Sequence, residues 1–320
     1  MYIQRNKSAA SLLACIALLL VLPGLSQAQT EYQDVFIFGD SVSDSGNRYL
    51  MTGLTTKSPY VLVPTYPYAM GGHHYSNGET WAEHLAKNLQ DATGGKASLA
   101  NPGKNGNYAY GGARGRNNVD HESPDSQEQA EKMIADYAGA PSDALYVIQF
   151  GGNDVRDALA AAQSDQTLAT SFGILFQATY EVQGAIQTLY NAGARNFLVA
   201  NSPNLVNAPA VSLQGGVTAF LTGIFVGTYN GELENRLSEL GSNAGINIEL
   251  FNMFDFTNEL VHNAATYGLV NVTAPCLNFV VASGGKCENP EDYLFWDGFH
   301  PTKVAHRAIA EAALSGLNGS

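Results

Sequence analysis

Val35-Phe36-Ile37-Phe38-Gly39-Asp40-Ser41-Val42-Ser43-Asp44-Ser45-Gly46-Asn47 opens with four β-favouring apolar residues in succession. An unbroken apolar run of this length predicts a strand buried on both faces, as in a parallel sheet. Gly39-Asp40-Ser41 then stops it abruptly, at what becomes the sheet's carboxyl edge, where open α/β sheets bind their ligands. Ser41 is therefore a candidate site residue, although Ser, Asp and Gly are also the ordinary residues of turns.

Working outward, a second clear strand covers 144–150 and delivers Gly151-Gly152-Asn153-Asp154 at its end, much as the first delivers Gly39-Asp40-Ser41. Shorter strands are expected at 97–100, 196–200 and 246–251. Between them, helical spacing or composition predicts a helix entered at Trp81, with Leu85 and Leu89 recurring, and others at 126–137, 229–240, 253–263 and 303–314. The Ala-, Leu- and Gln-rich 155–191 reads as helix broken near Ser164 and Asp165, and a more apolar segment, 217–227, leads into the 229–240 helix. Strands separated by helices must use crossovers, so the sheet is parallel and covered on both faces.

Two loops stand out. The stretch 48–79 is rich in Gly, Pro, Thr and Tyr, and Tyr60, Tyr66, Tyr68, His73, His74 and Tyr75 could line a cleft there or pack on one another as a surface loop. The stretch 115–125 is polar and expected to be exposed, with His121 a solvated loop residue.

The N-terminus reads as a targeting segment. Arg5 and Lys7 precede an apolar core at 9–22, and Ser26-Gln27-Ala28 offers a small-x-small cleavage site. Residues 1–28 are thus expected to be a signal peptide, and 29–320 a single domain that is secreted or periplasmic. The apolar run is shorter than the roughly 20 residues a membrane span needs. After cleavage 14 basic residues face 29 acidic ones, a net charge of −15. That balance argues against nucleic acid and against docking on anionic membranes, while leaving neutral or zwitterionic lipid open. Cys276 and Cys287 flank a Ser-Gly-Gly turn, and in an exported chain such a pair is most simply a disulfide.

Two further blocks complete the pattern: Asn107-Tyr108-Ala109-Tyr110-Gly111-Gly112-Ala113, and Phe295-Trp296-Asp297-Gly298-Phe299-His300-Pro301 just before the last helix. The four blocks, each at or after a strand-like run and in this order, resemble the GDSL lipases and esterases, also called SGNH hydrolases. The resemblance covers nearly all of the chain beyond its leader. It implies a flavodoxin-like three-layer α/β/α sandwich with five parallel strands in the order 2-1-3-4-5. It also implies a serine esterase of the lysophospholipase and esterase branch, acting on short-chain esters or on phospholipid acyl groups.

A serine hydroxyl is a poor nucleophile and needs a base. The resemblance gives Ser41 the role of nucleophile, His300 that of base, and Asp297 that of the carboxylate holding the imidazole. It places the oxyanion donors at the backbone N–H of Ser41, the backbone N–H of Gly112 and the side-chain amide of Asn153. Gly112 lies five residues after Asn107, the family's spacing, and Gly111 is next in line. Paired glycines also mark strand ends needing positive φ, Asn153 could cap a helix, and Asp297 or Thr302 could cap the last one. Val42 stands where the family's name expects leucine, and no Gly-x-Ser-x-Gly elbow is present.

No cofactor and no metal are expected, since no metal-ligand spacing occurs. Asp40, Asp44 and Asp154 are expected to satisfy turn N–H groups, and His84 and His306 to serve packing or surface. Competing readings are a carbohydrate acetylesterase or choline-ester hydrolase, a metal-dependent phosphoesterase using Asp40, Asp44, Asp154, Asp297 and His300, and a binding module built on the tyrosine-rich loop.

Overall fold

The computed structural model describes residues 32–117, 122–279 and 285–319, together with Met1. The expected leader, its cleavage site, His121 and part of the loop between the cysteines lie outside the described residues.

Four strands pair in parallel, β1 (Val35–Gly39), β2 (Leu145–Gln149), β3 (Asn196–Ala200) and β4 (Asn247–Phe251), in the spatial order β1-β2-β3-β4. Their registers run Val35 opposite Leu145, Leu145 opposite Asn196 and Asn196 opposite Asn247. The helices are α1 (Asn47–Thr52), α2 (Trp81–Asn88), α3 (Ser126–Tyr137), α4 (Gly152–Ala161), α5 (Ala169–Ala192), α6 (Pro209–Ser212), α7 (Gly216–Leu240), α8 (Met253–His262) and α9 (Lys303–Leu317).

Alternation along the strands divides the core between two faces. Phe36, Phe38, Tyr146, Ile148, Phe197 and Val199 pack with residues of α3, α4, α5 and α7. Val35, Ile37, Leu145, Val147, Leu198 and Ala200 pack with residues of α2, α6, α8 and α9. The result is the expected three-layer α/β/α sandwich.

The strand expected at 97–100 is not one. Ser98–Ala100 is a short 3-10 turn, and the place beside β1 is taken by the segment around Asn107. Ile37 N–H donates to Gly106 O at 2.9 Å, and Ile37 O and Gly39 O accept from the N–H groups of Tyr108 at 2.7 Å and Tyr110 at 3.0 Å. The described sheet therefore has four strands and a fifth position held by a bridge. On its outer side the expected 97–100 segment makes one parallel bridge, Ala97 to Asn107, with Asn107 N–H donating to Lys96 O at 3.0 Å and Ser98 N–H to Asn107 O at 2.8 Å. Asn47 Nδ2 also donates to Asn107 O and, past the bridge, to Ala109 O, so a side chain serves the carbonyl that a longer strand would pair.

α7 also differs from expectation, running unbroken through 217–227. Gly216, Gly223, Gly227 and Gly231 lower its helix propensity. A buried stripe of Thr222, Phe225, Val226, Tyr229, Leu233 and Leu237 at helical spacing compensates by packing against the core. The break expected near Ser164 separates α4 from α5.

A small second sheet pairs β5 (Asn271–Pro275) with β6 (Tyr293–Phe295). Cys276 and Cys287 form the expected disulfide, with Cα atoms 4.8 Å apart, at the base of this unit. β6 leads directly into Trp296 and Asp297.

Candidate active site

Three turns leave the carboxyl ends of β1, β2 and β6 and meet. β1 ends in Asp40 and Ser41. Gly39 is held by one side chain through both backbone groups: Gln129 of α3 accepts its N–H at 2.9 Å and donates to its C=O at 3.0 Å. Ser41 Oγ lies 2.8 Å from His300 Nε2, and His300 Nδ1 lies 2.7 Å from Asp297 Oδ2. With Nδ1 donating to the carboxylate, Nε2 is left as the acceptor for the serine hydroxyl. Asp297 is fully buried, and its Oδ1 accepts the N–H groups of Phe299 and His300, each at 2.8 Å. One carboxylate thus shapes the turn with one oxygen and orients the imidazole with the other. The cap of α9 is Thr302, not Asp297.

The N–H of Ser41 and the N–H of Gly112 have no acceptor among the described residues. Gly111 is different, because its N–H donates to Asp44 Oδ2 at 2.8 Å. Of the two glycines only Gly112 has a backbone donor to offer, and it sits at φ +83°, a conformation side chains resist. Gly111 is required for another reason: a Cβ there would come within 2.1 Å of the Tyr75 ring. Asn153 lies inside α4, whose cap is Gly151, so it does not cap that helix. Its Nδ2 donates to Ala113 O at 2.9 Å, and its Oδ1 accepts from Arg156 Nη1 at 3.1 Å. That pair fixes the amide's orientation and leaves one amide hydrogen uncommitted.

Buried carboxylates tie these turns together. Asp44 accepts from the N–H groups of Gly46 and Asn47 at 2.7 Å, Arg48 at 3.2 Å and Gly111 at 2.8 Å. Asp154 accepts from Gly115 N–H at 2.8 Å and pairs with Arg116 at 2.6 Å. Burial raises the pKa of both above the usual carboxylate range, and these donors oppose it. Asp40 is pushed up to about 6 by burial, against the Val42 N–H it accepts and the nearby His300. Oxygens so engaged are not a metal cage, and among the described residues no group of three or more His, Cys, Asp or Glu is placed to hold a metal ion.

The described part of 115–125 departs from expectation only in part, for Asn117 and Glu122 are exposed as expected. Gly115, Ser123 and Asp125 are buried, because Arg114 and Arg116 reach across to Asp157 and Asp154 of α4 and pull the segment inward. The tyrosine-rich loop does not line the cleft either. Tyr60, Tyr68, Tyr75 and His74 are buried, and of 48–79 only Val63 reaches the pocket beside Ser41. Tyr68 instead donates its hydroxyl to Asp297 Oδ2 at 3.0 Å, and the Tyr75 ring sits 5.1 Å from that of His300. His74 pairs with Glu83 at 2.8 Å, and this partner, outweighing burial, raises its pKa. His306 is neutral packing: burial drives its pKa well below the usual value, and Nδ1 accepts Trp81 N–H at 3.1 Å.

The pocket at Ser41 has a volume of about 70 Å³ and is lined by Val42, Asn153, Arg156, Leu205, Met253 and Phe299 among others. A larger groove of about 440 Å³ shares Val63, Arg156 and Phe299 with it and runs toward α6 and α7. Sequence reasoning missed Gln129, Asn47 and Arg156 and gave Tyr68 only a place in the tyrosine-rich loop, not its contact with Asp297; each acts through a contact more than 50 residues away or across a helix turn, and none carries a local signal of that role.

A serine hydroxyl in hydrogen-bond line with an imidazole and a buried carboxylate, in a chain that keeps uncommitted N–H donors, is the arrangement expected of a serine hydrolase. The chain belongs to the GDSL-like lipase/acylhydrolase family, whose model matches residues 35–313, and it is accordingly a hydrolase of ester bonds. It is similar to a GDSL esterase/lipase of Arabidopsis thaliana, 26% identical over 88% of this chain and 81% of that protein. It is also similar to the thermolabile hemolysin of Vibrio parahaemolyticus, 25% identical over 89% of this chain and 63% of that longer protein. Among solved structures, an alpha/beta hydrolase from the metagenome of Lake Arreo, Spain, aligns at 14% identity and a TM-score of 0.43, covering 89% of this chain and 94% of that one.

Proposed function

We propose that the protein is a secreted serine esterase that forms an acyl-enzyme on Ser41 and acts on short-chain esters or the acyl groups of lysophospholipid and phospholipid. The observation that carries the mechanism is the continuous line Ser41 Oγ, His300, Asp297 with contacts of 2.8 and 2.7 Å. As Ser41 Oγ attacks the ester carbonyl, its proton passes to His300 Nε2, and Asp297 stabilises the imidazolium. The oxyanion is received by the N–H groups of Ser41 and Gly112 and the remaining amide hydrogen of Asn153. Collapse expels the alcohol, which takes the proton from His300. Water, deprotonated by the same imidazole, then attacks the acyl-serine and releases the acid.

Secretion is supported by the leader-like N-terminus and by the Cys276–Cys287 disulfide, a bond of oxidising compartments. The substrate class is supported by the apolar lining of the pocket and groove, with the pocket accommodating a short acyl group and the groove a longer chain. The test is a fluorophosphonate probe followed by peptide mapping, together with turnover of p-nitrophenyl butyrate and lysophosphatidylcholine. Label on Ser41, and loss of at least about a thousandfold in kcat for Ser41→Ala at unchanged Tm, are expected. Full activity in the variant would remove the proposal.

A further inference from the structure

Residues 196–231 contain no Asp, Glu, Lys, Arg or His, in a chain whose formal net charge is −13. β3 and the buried Pro209, Ala210 and Val211 of α6 account for part of that run, but Leu213 just after α6 and the first turns of α7 lie at the surface. Leu213 is 72% exposed, Val217 76% and Phe220 68%, with Val61 at 56% on the facing loop. Charge returns only at Glu232, after which the outer face of α7 carries Glu234 and Glu239.

The apolar end of α7 is at the catalytic edge. A crossover helix that leads into a parallel strand ends at the edge where that strand begins, so α5, which leads into β3, and α7, which leads into β4, start on the opposite side, that of Ser41. Phe172, in the first turn of α5, meets Phe225 in the third turn of α7 with ring centroids 5.7 Å apart, so α7 projects beyond α5 there. Val217 and Leu221 line the groove that shares Val63, Arg156 and Phe299 with the Ser41 pocket, and Arg156 is the one charged residue among those lining it. Among the described residues no helix is long and apolar enough to cross a membrane.

We infer that Leu213, the exposed start of α7 and Val61 form a face that lands on a zwitterionic phospholipid surface and leads acyl chains through the adjoining groove to Ser41. The inference builds on the lipid-ester reading above. An exposed apolar face holds to the interfacial zone of a bilayer by buried apolar area. A net negative chain with an uncharged face suits a surface without net charge and is repelled by an anionic one.

The test is co-sedimentation of the full protein with phosphatidylcholine vesicles, repeated with phosphatidylglycerol vesicles. Leu213→Glu/Phe220→Glu alters two exposed side chains that do not line either cavity, and Val270→Glu alters one 80% exposed elsewhere. Expected are binding of the wild type to phosphatidylcholine, a loss of tenfold or more in the double variant, wild-type binding in Val270→Glu, and weaker binding to phosphatidylglycerol. Equal partitioning of double variant and wild type, or preference for phosphatidylglycerol, overturns the inference. So does a dimer in light scattering that the double variant converts to monomer, which would assign the face to a second copy. Turnover of p-nitrophenyl acetate is unchanged in all variants, and its absence in a wild type that binds vesicles would count against the esterase reading alone.

Discussion

The two sides of the catalytic mouth are built by opposite means. On one side the turns after β1 and β6, the segment at Asn107–Ala113 and the start of α4 are polar and pinned by buried carboxylates. On the other, Leu213 and the start of α7 offer an uncharged apolar surface with little to hold a side chain in one place. The first side fixes atoms to fractions of an ångström, as acyl transfer demands. The second presents area rather than geometry, which suits a ligand recognised by burial. Substitutions should therefore be costly on the first side and silent on the second for a soluble ester.

After Ser41→Ala itself, Asn153→Ala should show the largest effect. Loss of one oxyanion donor costs roughly 2.7 to 4 kcal/mol of barrier, so kcat on p-nitrophenyl butyrate should fall by about a hundredfold to a thousandfold with little change in KM. A change below about threefold would remove the amide from the site. Asp44→Ala strands the N–H groups of Gly46, Asn47, Arg48 and Gly111, three of them at the start of α1 and one on the facing segment. About 3 kcal/mol of stability should be lost, read as a lower urea midpoint, and kcat should drop as well because both turns move.

His306 tests the pinned side through pH. Its native pKa is held well below the ordinary value by burial, so below about pH 6.5 the unfolded chain takes up a proton that the native protein refuses. Its contribution is complete above that pH and is lost as the pH falls, at up to about 1.4 kcal/mol per unit. Denaturation of wild type and His306→Gln between pH 8 and 5 should show the wild type alone losing this increment; parallel curves would contradict it. Tyr68→Phe, which removes one hydrogen bond to Asp297, should be mildest at about 1 kcal/mol, or about a fivefold loss in kcat. If it matched Asn153→Ala, the hydroxyl would have a direct part in the chemistry.

Much of this was legible beforehand because it is written in local pattern. The apolar run before Gly39-Asp40-Ser41, the run before Gly151-Gly152-Asn153 and the helix at Ser126–Tyr137 each carry their own period and their own punctuation. The 97–100 strand shrank to a single bridge on the outer side of Asn107, because 98–100 turns into a 3-10 helix and the side chain of Asn47 takes the next carbonyl, Ala109 O. α7 was underestimated because its glycines depress local propensity, whereas its buried stripe is rewarded only once the core exists to receive it.

By itself, the sequence determined the parallel α/β class, the order of the polar blocks and the residue types available for chemistry, since these follow from short-range periodicity and turn composition. Only the tertiary structure decided which glycine keeps a spare N–H, which tyrosine stands behind Asp297, that Gln129 holds the end of β1, and that the aromatic loop closes inward while α7 faces out. Those outcomes depend on hydrogen bonds and burial between segments tens to hundreds of residues apart, and the chain encodes them only through the packing of the whole.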